Sequence, residues 1–296
     1  MNINLKNSAL IILLVLAVGS ISAQQDPNYT FYRFNMNIIN PAYAGASEST
    51  IVGLNVRSQW ASVQGAPETQ SLIFGTSVGK NVGVGLSVVN DKTFIENQTS
   101  FALDFSYKLK LNENNELFLG IKGGFTSYDV NTEGLITYGI QQDMSLMNID
   151  GRFNPNVGAG LYLKNEKYFF SFSVPKILSP DRLQQNDGQA RLGVDKIHYY
   201  LAGGYDFELS ENVKLKPSVL LRHVNASPIS LDITSLLEFS HRFDIGAAYR
   251  LDESVSGLLI FKTGWVDIGY AYEVALENPI RNSDNGTHEL MMSLSF

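Results

Sequence analysis

Phe101-Ala102-Leu103-Asp104-Phe105-Ser106-Tyr107-Lys108-Leu109-Lys110 alternates without a break, with Phe, Leu, Phe, Tyr and Leu on one parity and Ala, Asp, Ser, Lys and Lys on the other. A period of two is a β-strand with one apolar and one polar face. The same period appears on both sides of this stretch. Val52, Leu54 and Val56 oppose Gly53, Asn55 and Arg57, and Val82, Val84, Leu86 and Val88 oppose Gly83, Gly85 and Ser87. Further strands are read at 72–78, 117–125, 157–163, 168–174, 199–209, 213–221, 231–239, 243–251, 255–261, 266–274 and 290–296. Within 255–261, Leu258 and Ile260 make both faces apolar. The total is about fourteen strands, many near the ~9–11 residues that cross a bilayer at a tilt.

Charge placement separates a membrane barrel from a soluble sandwich. Arg57, Asp104, Lys108, Lys122, Asp206, Glu208, Lys214, Lys216, Arg222, Asp232, Glu238, Asp244, Arg250, Lys262, Asp267, Glu273 and Glu289 all share the polar parity of their own strand. A sandwich would alternate too. The aromatic residues tip the choice, because Tyr107, Tyr168, Tyr199, Tyr205, Phe243, Tyr249, Tyr270 and Tyr272 share the apolar parity and mostly sit towards strand ends, as interfacial girdles require. The expected fold is therefore all-β, a transmembrane antiparallel outer-membrane barrel closed by a last strand ending on Phe296. Connections agree: short ones (79–81, 112–115, 165–167, 210–212, 240–242, 263–265) alternate with mostly longer ones (58–70, 90–98, 127–153, 175–196, 223–228, 275–286), as periplasmic turns alternate with extracellular loops. The short link 252–254 breaks the pattern. An even strand count puts both chain ends on the periplasmic side.

Ahead of the wall, residues 1–23 read as a secretory signal peptide: Lys6 in a charged start, an apolar stretch over 9–18, and a small-residue exit at 20–23, with cleavage expected after Ala23. Its removal takes one base and no acid from 22 basic and 29 acidic residues, leaving a net charge near minus eight. That balance argues against a nucleic-acid partner, which wants a clustered basic surface. The absence of cysteine rules out a disulfide framework, so packing and hydrogen bonds must hold the fold. The organisation expected is 1–23 signal, 24–48 periplasmic or plug segment, and 49–296 transmembrane barrel.

Nothing in the sequence marks an enzyme. Of the four histidines, His223 and His288 fall on the apolar parity, His241 in a turn, and only His198 on the lumen parity, with no paired spacing for a metal. Gly120, Gly123 and Gly124 lie inside a strand and form no phosphate loop. No catalytic residue, cofactor or metal is expected. The two signs of charge on the lumen face suit either a water channel or pairs neutralised around an inserted segment.

Between signal and wall lie Tyr29 and Phe34-Asn35, then Asn40-Pro41-Ala42-Tyr43-Ala44-Gly45, followed by Arg57-Ser58-Gln59-Trp60 and Gly65-Ala66-Pro67-Glu68-Thr69. With Gln25-Asp26-Pro27 ahead of them, this run resembles the PorP/SprF family of the type IX secretion system, found in Bacteroidetes-type bacteria. The resemblance implies a non-enzymatic outer-membrane component. It would help secrete large cargo proteins, such as gliding adhesins, or attach them to the cell surface by holding their C-terminal domain. The implied partners are the cargo, other type IX components and outer-membrane lipid. A diffusion or uptake channel is the alternative.

The opening stretch carries its own expectation. Asn-Pro holds Asn40 extended and Gly45 permits close backbone approach. Residues 25–45 are expected to fold into the periplasmic half of the barrel, anchored by Tyr29, Phe31, Tyr32, Phe34 and Tyr43, since leaving such rings in water costs about 1.5–3 kcal/mol each. Gly83, Gly85, Gly120 and Gly124 would make room, and Arg57 would bond the segment's carbonyls. Packing outside the barrel against a periplasmic partner is the other possibility. The structural or partner-contact residues are then Tyr29, Phe34, Asn40, Pro41, Tyr43, Gly45, Arg57 and Trp60.

Overall fold

The computed structural model describes residues 27–132, 149–178, 196–225, 227–276 and 285–296. The expected signal peptide, Gln25 and Asp26 lie outside the described residues. Among the described residues fourteen antiparallel strands close into a barrel. They are β1 (Ile51–Ser58), β2 (Glu68–Val78), β3 (Val82–Thr93), β4 (Glu96–Lys110), β5 (Glu116–Val130), β6 (Ile149–Lys164), β7 (Tyr168–Val174) and β8 (His198–Tyr205, continued after Asp206 by Phe207–Ser210). The circuit goes on through β9 (Val213–Val224), β10 (Ser230–Phe239), β11 (Phe243–Arg250), β12 (Ser254–Lys262), β13 (Val266–Ala275) and β14 (Thr287–Ser295).

Each strand pairs with its sequence neighbours. β1 pairs with β14 from Ile51↔Ser295 to Ser58↔His288, and Thr50 and Phe296 exchange backbone bonds of 3.1 and 3.0 Å beyond it. Closure on Phe296 joins the first strand to the last, so neither terminal strand is left as an edge.

Parity decides facing, as the alternation requires. Leu103, Phe105 and Tyr107 of β4 point outward while Asp104 and Ser106 are buried inside. All eight girdle aromatics named above stay 37–44% exposed on the outer surface. The strands therefore present hydrocarbon to lipid and hydrogen-bonding groups to the interior, the arrangement a closed barrel needs in a membrane. Among the described residues no helix is long and apolar enough to cross one.

One expected loop is absent. Residues 90–98 continue the β3–β4 ladder to Thr93↔Glu96, leaving Phe94 and Ile95 as a two-residue turn. The cause is side-chain pairing that polarity alone disguised: Asn90 donates to Asn97 Oδ1 (2.8 Å) and Thr99 Oγ1 (2.9 Å), and Thr69 donates to Asp91 (2.6 Å). The tight 240–242 turn places both Ser240 and His241 at positive φ, 48° and 56°, the conformation whose twist matches a hairpin.

Candidate functional site

The interior of the barrel is occupied by the chain's own residues 27–47. A single-turn helix α1 (Met36–Ile39) and a 3-10 turn (Pro41–Tyr43) interrupt an otherwise irregular path. Asn40 is extended (φ −139°, ψ 111°), as the following proline demands. Its side chain accepts from Ala42 N at 2.9 Å and donates to Leu161 O (2.9 Å) and Ser171 Oγ (2.7 Å) of the wall. One residue thus starts the turn and ties it to β6 and β7. Gly45 lies at φ +71°, a left-handed conformation that favours glycine, and its carbonyl accepts from Ser77 Oγ.

Steric fit holds the second half of the segment. A Cβ built on Gly120 would overlap backbone atoms of Pro41 and Ala42, one on Gly83 would overlap Ala44, and one on Gly160 would overlap the Asn40 side chain. Gly85 closes on Asn37 and Ala44 in the same way. Gly124, expected to join them, does not: its near neighbours are Phe101 and Ala102 of the adjacent strand. Around this cradle the wall donates to segment carbonyls, Lys122 Nζ to Asn37 (2.9 Å), Ser173 Oγ to Ile39 (2.6 Å) and Lys164 Nζ to Ala46 (2.9 Å). Ser106 donates to Ala44.

Charge holds the first half. Arg57, 1% exposed, donates to Glu289 (3.0 Å), to Glu273 (2.9 Å) and to the Thr30 hydroxyl (3.1 Å). The Glu289 carboxylate also accepts from the backbone N–H of Thr30 (2.8 Å) and of Phe31 (3.2 Å) and from Asn55 Nδ2 (2.8 Å). The expectation that Arg57 bonds segment carbonyls is corrected here. It pairs with two acids, and the acid receives the segment's donors, because a buried guanidinium needs anionic partners more than neutral ones.

The rings fill the remaining space. Tyr29, Tyr32, Met36, Ile39, Ala42 and Ala46 pack with wall residues Phe118, Tyr162, Phe169, Tyr200 and Leu220. Phe31 packs on Leu236, Leu258, Ile260, Ala271 and Met291, with Phe34 edge-on to it at 6.1 Å. Tyr43 stands edge-on to Tyr162 at 5.2 Å, and the Arg33 guanidinium lies over Phe169 at 5.0 Å.

Tyr29, Phe34, Asn40, Pro41, Tyr43, Gly45 and Arg57 thus meet in one interior assembly. Trp60 does not. It sits in the β1–β2 connection at φ 46° and 38% exposed, beside Phe94. The segment also reaches beyond the periplasmic half expected for it, since Thr30 and Phe31 meet β13 and β14 near the long-loop end, so the first described residues lie away from the short-turn side on which both chain ends were expected. Leu258 and Ile260 are announced by the two apolar faces of 255–261, whereas the lumen-facing apolar partners on the other strands were missed by reading those strands as strictly two-faced. Their signal was present as runs of three apolar residues, Leu117-Phe118-Leu119, Leu161-Tyr162-Leu163, Tyr168-Phe169-Phe170 and Tyr199-Tyr200-Leu201.

Among the described residues no group of three or more His, Asp or Glu side chains is arranged to hold a metal. His198 is buried beside Tyr200, His288 stands on the outer surface with Nδ1 2.7 Å from the Tyr270 hydroxyl, and His241 pairs with Glu238 at 2.7 Å. A cavity of about 260 Å³ remains on the short-turn side between Arg33, Tyr43, Tyr162, Lys216, Asp244 and Lys262.

Solved outer-membrane barrels share this architecture. The toluene transporter TodX of P. putida is similar at TM-score 0.50 and 9% identity, over 88% of this chain and 94% of that one. The CymD monoaromatic hydrocarbon channel is similar at TM-score 0.47 and 12% identity, over 94% and 96%. The likeness to TodX shows the fold alone. No curated protein sequence matches the chain. The family model described as type IX secretion system membrane protein PorP/SprF matches residues 21–294, nearly the whole sequence. With an outer-membrane-type barrel around it and the Asn40–Gly45 stretch at its centre, the chain belongs to the PorP/SprF family of type IX secretion system membrane proteins.

Proposed function

We propose that this type IX secretion component, its first 23 residues removed as an export signal, assists secretion or cell-surface attachment of large cargo proteins such as gliding adhesins. It does so by holding their C-terminal domain, without enzymatic activity. One observation carries the reading: residues 27–47 fill the barrel interior and are bonded to most of its circumference, from β14 and β1 through β4, β5, β6 and β7. An uptake pore would keep that interior open to solute. A plugged barrel instead offers its long loops and rim as a platform, which suits retention of a protein. Deleting the gene is expected to leave one or a few large surface proteins unsecreted or shed into the medium, measured by fractionation and mass spectrometry. Normal surface and medium fractions would end this reading.

The alternative, a diffusion or uptake channel, makes the opposite electrical prediction. The full mature chain in a planar bilayer is expected to show no stable open state. The same barrel lacking residues 27–46 is expected to conduct. Sustained conductance from the intact chain would favour the channel.

A further inference from the structure

We propose that the inner segment is threaded with its N-terminal end towards the cell surface, so that Asn28 is reached from outside the cell while Glu48 is reached from the periplasm. The argument rests on where each contact falls along its strand. Thr30 and Phe31 bond Glu289, and Thr30 lies within bonding distance of Arg57 and Glu273. Glu289 and Glu273 are each third from the long-loop end of β14 and β13, and Arg57 is next to last in β1. Asn28 is bonded by Arg222, third from the same end of β9. Pro27 and Tyr29 border a cavity with Asp91, Gln98, Ser100 and Lys176, all on the long-loop side.

The other end of the segment finishes on the opposite rim. Gly45 is bonded by Ser77, next to last in β2, and Ala46 by Lys164, the last residue of β6. Thr50 then joins the β1–β14 closure. Eight strand residues at ~3.3 Å each and a ~40° tilt separate the two rims by roughly 20 Å along the barrel axis. Long loops face outward and short turns face the periplasm in outer-membrane barrels, which gives the thread its direction.

This inference bears on the proposed function but does not depend on it. An exported protein held at the surface would meet Asn28 and Tyr29 before any deeper part of the segment.

The chain has no cysteine, so an introduced one is the sole thiol. Asn28→Cys and Glu48→Cys are each treated with a membrane-impermeant maleimide on intact cells and on cells whose outer membrane has been opened. Normal heat-modifiable migration of each variant serves as the check on folding, and Pro27→Cys replaces Asn28→Cys if the latter fails it. Labelling of Asn28→Cys on intact cells is expected, with Glu48→Cys silent until the membrane is opened. Labelling of Asn28→Cys only after opening would overturn the threading direction, and protection of it under both conditions would overturn its accessibility. Neither result depends on whether any cargo is retained, so the outcome of the gene deletion stands apart.

Discussion

Arg57→Ala is expected to destabilise the folded barrel by about 3–5 kcal/mol, the usual consequence of removing one partner from a buried ion pair. Arg57 is shared by two carboxylates, at 3.0 Å from Glu289 and 2.9 Å from Glu273. The two acids are not equally exposed to the loss. Glu273 keeps Arg250 at 3.6 Å, whereas Glu289, with a side chain only 1% exposed, keeps no cation within pairing distance among the described residues. Its donors would then be Asn55 and the two N–H groups of the segment, too few to replace a guanidinium. Urea unfolding of the detergent-solubilised protein measures the loss, and trypsin reports its location: cleavage after Arg33 is expected to become rapid while the barrel stays intact. The Arg57→Met, Glu289→Gln double variant removes both charges together. It is expected to be less destabilised than the sum of the single changes, as residues in direct contact are. Additive losses and unchanged cleavage would show that the pair does not fasten the segment.

This pair also shows where sequence reading ends. Arg57 could be placed on the lumen side by its parity with Asn55, but Glu289 lies 232 residues away, and only barrel closure makes β14 a neighbour of β1. Parity is a local property and survives without any knowledge of tertiary pairing. For that reason the facing of Asp104, Lys122 and Glu273 was legible, while the Asp104–Lys122 pair at 2.7 Å depended on the β4–β5 register. Polarity misled in one place: the stretch Asn90 to Gln98 looked like a loop because its side chains are polar, yet they bond one another across the ladder. Trp60 misled differently. Its place in the resemblance to the family carries no information on direction, and the chain leaves β1 before reaching it, so it stands outside the interior assembly. The lumen-facing Phe118, Tyr162 and Phe169 have no reason to exist in an open aqueous barrel. They become intelligible once Tyr43, Ala42 and Met36 are set against them.

Gly120→Val is expected to displace the segment without unfolding the wall. The added Cβ would overlap Ala42 N, the Pro41 carbonyl carbon and Ala42 Cα, all backbone, so no side-chain rotation can relieve it. Pro41 is also fixed in φ by its ring, and Asn40 is pinned through Leu161 O and Ser171. The turn therefore cannot yield locally, and overpacking of this kind costs about 1–3 kcal/mol or more. On the wall side the substitution is mild, because valine suits a strand and β5 keeps its ladders to β4 and β6. The energy falls on the contact between wall and segment, so the barrel should migrate as folded in heat-modifiability gels while bilayer recordings show openings absent from the unsubstituted protein. Gly257→Ala is the control: a Cβ there meets nothing within 4 Å, and neither migration nor conductance should change. If Gly120→Val stayed as closed as the control, the Pro41–Ala42 turn could not be what seals this side of the lumen.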